Sequence, residues 1–219
     1  HITVIHKPGA GTYGHSGQDD VALDAALLAK KIPGTPVRVI WSRADDFVAA
    51  PFGAGMLVRA SMTLGADNKR IAAYSIQSNS QPHSRRPGKD GAVGMTAAER
   101  LAQPFATYCC DDVPLSRGGG AERNATPLYD FPHVRVAKRI VKDLPIRTSA
   151  LRGLGAPANV FSLEALMDDA AACAGVDPVE FRLNHLSDDR AKAVIGRAAA
   201  MANWPGDPND EGALGIGFA

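Results

Sequence analysis

The sequence lacks most of the features that would assign it a function at first sight. Its three cysteines in 219 residues are Cys109, Cys110 and Cys173. Two of them are adjacent, so they make no disulfide framework, and their spacing fits no metal signature. They read as free thiols, which favours a reducing setting and leaves cytoplasm and periplasm both open. No apolar run approaches the ~20 residues of a membrane span, and no basic stretch with an apolar core opens the chain. Neither sign of charge is in excess: 24 Lys and Arg stand against 23 Asp and Glu, for a net charge of +1. Without a global field, non-specific attraction to nucleic acid or to an anionic membrane is not expected. His1, His6, His15, His83, His133 and His185 are scattered at no ligand spacing, so metal ligation by protein side chains is not indicated.

The composition that remains, 45% hydrophobic and 21% charged, is that of a globular protein. A chain of this length buries roughly 70% of its unfolded surface and needs no staples. The first residue is His1, Ile2–Ile5 reads as a strand already under way, and Gly215–Ala219 resembles the start of another. A piece of a longer polypeptide is therefore expected.

The patterning divides the chain into a strand, glycine loop, helix and strands over 1–80, an irregular stretch over 81–147, and a helical part over 148–219. Glycines between Gly9 and Gly17 are followed by Asp20–Lys31, where Val21, Leu23, Ala25, Leu27 and Leu28 suit a packed helix ended by Pro33 and Gly34. Pro36–Ser42 and Met56–Leu64 alternate with period two, and a return strand is expected over Ile71–Ser78. Between Asn79 and Pro132 only Thr96–Leu101 reads as helix. Pro157–Ala174 carries Val160, Leu163, Met167 and Ala171 on one stripe and ends at Gly175. Asp177-Pro178-Val179-Glu180 is a capping box opening a helix with Val179, Leu183 and Leu186 on one face. A last helix, Asp188–Asn203, places Ala191, Val194, Ile195, Ala198 and Ala202 inward.

Two loops are candidates for chemistry. Gly9-Ala10-Gly11-Thr12-Tyr13-Gly14 matches the dinucleotide fingerprint, in which glycines let a phosphate approach backbone N–H groups and a helix dipole. The carboxylate for a ribose is missing, because the next strand ends Trp41-Ser42-Arg43, and the alternation of a Rossmann half does not continue. Gly14-His15-Ser16-Gly17-Gln18 is one residue away from a nucleophile elbow. A tight turn with no ligand is the third reading. The second loop, Thr148–Pro157, places Arg152 before Gly153-Leu154-Gly155 at the mouth of a long helix, which again makes an anion site. Asp19, Asp20, Asp111, Asp112 and Glu122 read as exposed or capping carboxylates.

Taken together, Gly9–Asp20, Pro36–Arg43, Arg147–Asp168 and Asp177–Arg182 resemble the molybdenum-binding large subunit of the xanthine dehydrogenase and aldehyde oxidase family, in particular its isoquinoline 1-oxidoreductase and nicotinate dehydrogenase type. The resemblance runs along nearly the whole chain. It implies an α+β fold of mixed sheets with packed helices, a segment of a molybdopterin-binding domain. It implies a molybdenum-bearing molybdopterin, in its cytosine dinucleotide form, contacted by Gly11, Thr12, Tyr13 and Gly14 of the first loop and by Arg152 and Gly153 of the second. Arg152 takes a catalytic role close to the metal, and Leu154 occupies the substrate-facing position that is aromatic in many members. The implied partners are the remainder of the large subunit, a small subunit with [2Fe-2S] clusters and a small-molecule substrate, an N-heteroaromatic or aldehyde hydroxylated with oxygen from water. His15, Ser16 and Gly17 stand where the family has Gly-Lys-Glu, so a purine substrate is not expected. The family's general base, a glutamate in a further Gly-rich motif, is absent from this chain. A non-catalytic assembly module with empty loops, or an NAD(P)-binding oxidoreductase domain, is the alternative. Arg147, beside the same turn but outside the Arg-Gly-x-Gly match, is expected to matter little.

The absent ribose carboxylate predicts no nicotinamide site: calorimetric titration with NAD or NADP should give no saturable heat at millimolar ligand.

Overall fold

A computed structural model describes residues 1–9, 20–84, 94–106, 111–142, 146–205 and 217. In chain order the described residues form α1 (Asp20–Lys31), α2 (Arg43–Ala49), β1 (Met56–Leu64), β2 (Ile71–Ser80), α3 (Thr96–Glu99), a 3-10 turn (Leu115–Arg117), β3 (His133–Ile140), α4 (Ala156–Ala174), α5 (Pro178–Asn184) and α6 (Asp189–Met201). The strands make one three-stranded sheet in the order β1-β2-β3. The α+β expectation holds. The chain divides into two compact units with interleaved ranges, 1–57, 79–123 and 138–156 in the first and 58–78, 124–137 and 157–219 in the second.

The second unit holds the core. β1 alternates half-buried and exposed residues, with Val58, Ala60, Met62 and Leu64 on the packed side. The turn back to β2 is closed by the Gly65 N–H donating to the Arg70 carbonyl at 2.7 Å, with Asn68 at φ 54°. β2 contributes Ile71, Tyr74 and Ile76, α4 contributes Leu163, Met167, Ala170 and Ala171, and Phe131 and Phe181 complete the cluster. Each large side chain so buried is worth roughly 1.5–3 kcal/mol. α4 stops at Gly175, whose φ of 64° suits a residue with no Cβ. Asp177 then caps α5 by accepting from the N–H groups of Val179 and Glu180. Arg182, wholly buried, donates from Nε to Glu164 at 2.8 Å and from Nη1 to Asp168 at 2.7 Å, tying α5 to α4.

The first unit contains α1, α2 and α3, with α1 packed on α3. Ser42 and Asp45 form a reciprocal capping box at the start of α2.

Several sequence expectations need correction. Ile2–Ile5 and Pro36–Ser42 are not strands: the first is exposed, and neither pairs with a described neighbour. Period-two patterning marks only the tendency, and a strand needs a partner for its backbone groups. β3 lies within 81–147, the stretch expected to be irregular. Val160 faces water while Asn159 is buried and accepts from Ser78 Oγ at 2.7 Å. α6 has no buried residue, and Val194, expected inward, is exposed.

His185 links β2 to α5. Its Nε2 accepts from the Ile71 N–H at 2.9 Å, so its other nitrogen, Nδ1, carries the proton and donates to the Phe181 carbonyl at 2.7 Å. Burial holds its pKa below the ordinary 6.5. Protonation turns Nε2 into a donor facing a donor, so this contribution is complete above pH 6.5 and is lost as pH falls from there through the lowered value. We expect melting temperature to drop on acidification from pH 7.5 to 5.0, and His185→Gln to be less stable at pH 7.5 but with a shallower acid slope.

Candidate functional site

The second glycine loop is held at both ends. At its start, Phe52 and Thr148 form a parallel bridge, with the Phe52 N–H donating to Arg147 and the Ser149 N–H donating to Phe52, both at 2.9 Å. Thr148 Oγ1 adds a bond to the Pro82 carbonyl at 3.1 Å. The chain then turns: the Leu154 N–H returns to the Leu151 carbonyl at 2.9 Å, with Gly153 at φ 93° and Leu154 at φ 54°. For leucine the left-handed region costs of order 1–3 kcal/mol and persists only where the surroundings impose it. They do so through Gly155, whose N–H donates to the Gly120 carbonyl at 3.1 Å. A Cβ on Gly155 would run into the carbonyls of Gly120 and Ala121, so backbone lies directly on backbone here.

This turn leaves the N–H groups of Leu151, Arg152 and Gly153 without an acceptor among the described residues. Arg152 is exposed, and its guanidinium makes no hydrogen bond or ion pair among them. Three successive peptide N–H groups and an exposed guanidinium thus share one turn, a donor set of the kind that suits an anion.

Beneath Gly120 lies a carboxylate shut off from water. Asp112 accepts from the N–H groups of His83 and Ala121, each at 2.8 Å, and Lys138 Nζ stands 3.7 Å away. A Cβ on Gly120 would overlap that carboxylate. Gly118 and Gly119, at φ 91° and 72°, give the preceding bend its left-handed course. Lys138 also donates to buried Glu122 at 2.5 Å. His83 Nε2 meets Ser80 Oγ at 3.1 Å, while His83 Nδ1 and Glu122 Oε2 are buried with no partner among the described residues. Burial holds the His83 pKa low against the opposing pull of Asp112 and Glu122.

The other support is Arg147. Its Nη1 lies 2.9 Å from both oxygens of buried Asp20 and 3.1 Å from the Gly94 carbonyl, and Nη2 donates to the Ala49 carbonyl. Asp20 also accepts from the Thr96 N–H at 2.9 Å. Arg147 is therefore no bystander of the turn, and Asp20, Asp112 and Glu122 are neither exposed nor mere caps as the sequence suggested; Asp111 is exposed.

Of the residues singled out from sequence, Arg152, Gly153 and Leu154 sit together on this turn. Gly11, Thr12, Tyr13 and Gly14 lie outside the described residues, as do Cys109 and Cys110, while Cys173 is exposed. Sequence reading missed the Gly120–Gly155 contact and both buried carboxylate supports. The run Gly118-Gly119-Gly120 was a visible signal, but its partner 35 residues on was not. Among the described residues no group of three or more His, Cys, Asp or Glu side chains converges on a metal position.

The fold and the loop define a class: an α+β module with an exposed arginine on a glycine turn at the start of a long helix. Residues 116–186, which include Gly120, Arg147, Arg152 and Gly155, match the molybdopterin cofactor-binding domain. The chain is 37% identical over 203 residues to a nicotinate dehydrogenase subunit of Pseudomonas putida, covering 93% of this chain and 16% of that protein. It is 29% identical over 219 residues to the β subunit of isoquinoline 1-oxidoreductase of Brevundimonas diminuta, covering 98% of this chain and 25% of that one. In fold it is similar to quinoline 2-oxidoreductase from Pseudomonas putida 86, with a TM-score of 0.57 at 19% identity over 83% of this chain and 22% of the other. Along most of its length the chain is thus similar to molybdenum-binding subunits of the xanthine dehydrogenase and aldehyde oxidase type, and it spans a quarter or less of the length of these relatives. No described helix is long and apolar enough to cross a membrane.

The close contact at Gly155 predicts that Gly155→Ala destabilises the protein by about 1–3 kcal/mol through overpacking. Gly175→Ala, with open space around it, should cost only about 1 kcal/mol for its backbone conformation. Denaturant melts of the two variants check the order.

Proposed function

We propose that this chain is the part of a molybdenum hydroxylase large subunit that holds the anionic portion of a molybdopterin cofactor, in the cytosine dinucleotide form, on the turn at residues 151–155. The observation that carries the reading is the set of N–H groups of Leu151, Arg152 and Gly153 without an acceptor among the described residues, beside the exposed Arg152 guanidinium and all inside the cofactor-domain match. This donor set fits the group: a phosphate and a pyrimidine edge offer several acceptors, and no described acidic residue bonds to Arg152 in competition. When bound, the cofactor supplies the redox chemistry, removing two electrons from a substrate carbon that gains oxygen from water.

The chain's own part is binding and electrostatics. The three peptide N–H groups fix an anion without any rotamer cost, because their direction is set by the turn. Arg152 adds a permanent charge whose fork of donors stabilises negative charge as it develops nearby. Leu154, half-buried on the same turn, is assigned to the substrate side, where an apolar residue suits a flat heteroaromatic such as the nicotinate or isoquinoline for which the relatives are named. Gly11, Thr12, Tyr13 and Gly14 are assigned to the cofactor through their match to the family's first loop. Electrons leave through iron–sulfur clusters on a partner protein, since this chain has no cysteine pattern to hold one.

In the enzyme carrying this chain, Arg152→Ala should lower turnover per molybdenum by about 10²- to 10³-fold, the usual loss for one preorganised donor, with most of the molybdenum retained. Arg197→Ala, an exposed change on α6, should leave both unchanged. Normal turnover per molybdenum in Arg152→Ala would remove the assignment.

A further inference from the structure

We propose that Asp20 and Arg147 act as a positioning pair that couples the start of α1 to the foot of the 148–155 turn, so that the aim of its donors depends on a carboxylate 127 residues away in sequence. The inference rests on the assignment of that turn to the cofactor.

Both side chains are almost closed to water, Asp20 at 3% and Arg147 at 12% exposure. The guanidinium and the carboxylate together gather four separate segments: residue 20, the Ala49 carbonyl at the end of α2, Gly94 and Thr96 before and within α3, and residue 147 itself. Arg147 is also the residue whose carbonyl accepts the Phe52 N–H, and the bridge made there places Ser149, two residues before Leu151. Moving the guanidinium therefore moves the strand-like entry to the turn.

The chemistry favours positioning over bulk stability. A buried ion pair yields little net stabilisation compared with apolar residues of the same volume, because both charges are stripped of water. What an arginine fork supplies instead is direction: rigid planar donors satisfied by a carboxylate on one side and carbonyls on the other. Lysine keeps the charge but has its three donors on one nitrogen, which cannot span Asp20, Gly94 and Ala49 as the two guanidinium nitrogens do. Asparagine at 20 keeps shape and one acceptor oxygen but removes the charge. These two substitutions probe direction and charge separately while leaving volume nearly constant.

The pair lies off the turn, so its effect reaches the bound anion only through the backbone. That separates it from Arg152, whose own donors face the site. It also sets Asp20 apart from the buried Asp112, which holds the opposite end of the turn through Ala121, Gly120 and Gly155.

The test uses the cofactor-loaded enzyme with Asp20→Asn, Arg147→Lys, the double variant and, as a separate arm, Arg152→Ala. Hydrogen–deuterium exchange is followed over residues 147–156, with 24–31 and 163–186 as internal references, together with molybdenum loss on dialysis. We expect each single variant to raise exchange over 147–156 and the rate of molybdenum loss by about tenfold, as for loss of roughly one hydrogen bond. The references should be unchanged and the double variant no worse than the poorer single one. Unchanged exchange over 147–156, a rise of equal size in all three segments, or fully multiplicative effects in the double variant would each overturn the coupling. If Arg152→Ala leaves molybdenum retention and turnover untouched, the assignment of the turn to the cofactor fails instead, while the exchange data still decide the coupling.

Discussion

Backbone resting on backbone at Gly155 is the contact from which the rest of the candidate site follows. The N–H of Gly155 reaches the Gly120 carbonyl only because neither residue carries a side chain, and Gly120 in turn leaves room for the Asp112 carboxylate beneath it. With that contact in place, Leu154 takes a left-handed conformation, the chain turns back at Leu151, and the intervening N–H groups have no acceptor among the described residues. A donor set of this kind costs little because it faces water until an anion replaces it. The site is thus a by-product of how tightly two glycine segments approach, and a single methyl group at either place undoes it.

Buried charges do much of the fixing, and each unit does it in its own way. In the first unit Asp112 spends its acceptor capacity on peptide N–H groups and Asp20 on an arginine, so both carboxylates organise irregular backbone that has no helix or sheet to satisfy it. In the second unit Arg182 works between helices, with Glu164 and Asp168 on α4 and the Pro178 carbonyl on α5. That unit is otherwise an apolar core, and the arginine sets the register of two helices that Leu163, Met167 and Phe181 merely hold together. Ionic groups give direction where hydrophobic contacts give cohesion, since the former depend on angle and the latter on area.

Local chemistry was legible where local rules decide. The α1 boundaries, the β1–β2 hairpin, the glycine stop of α4 and the Asp177 cap follow from periodicity, a left-handed glycine and a side-chain oxygen facing free N–H groups, all short-range causes. So was the turn of the second loop, because Arg152-Gly153-Leu154-Gly155 before a helix states a glycine-governed bend within four residues. Pro36–Ser42 alternates as a strand should and yet pairs with nothing described, while His133–Ile140, set in an apparently irregular stretch, finds a place beside β2. Alternation describes a chain's readiness to pair, and pairing needs a neighbour.

The sequence by itself determined the family resemblance, most helix ends and the place of the Arg152 turn, since each of these resides in a few consecutive side chains. Tertiary structure alone decided that the carboxylates of Asp20, Asp112 and Glu122 are buried, that Arg147 is a structural fork where Arg152 is exposed, and that Gly120 and Gly155 touch. The physical reason is the same in every case. A charge or a glycine has no intrinsic location: whether a carboxylate is solvated or enclosed, and whether a missing Cβ matters, depends on which distant segment arrives beside it, and no short-range pattern encodes that arrival.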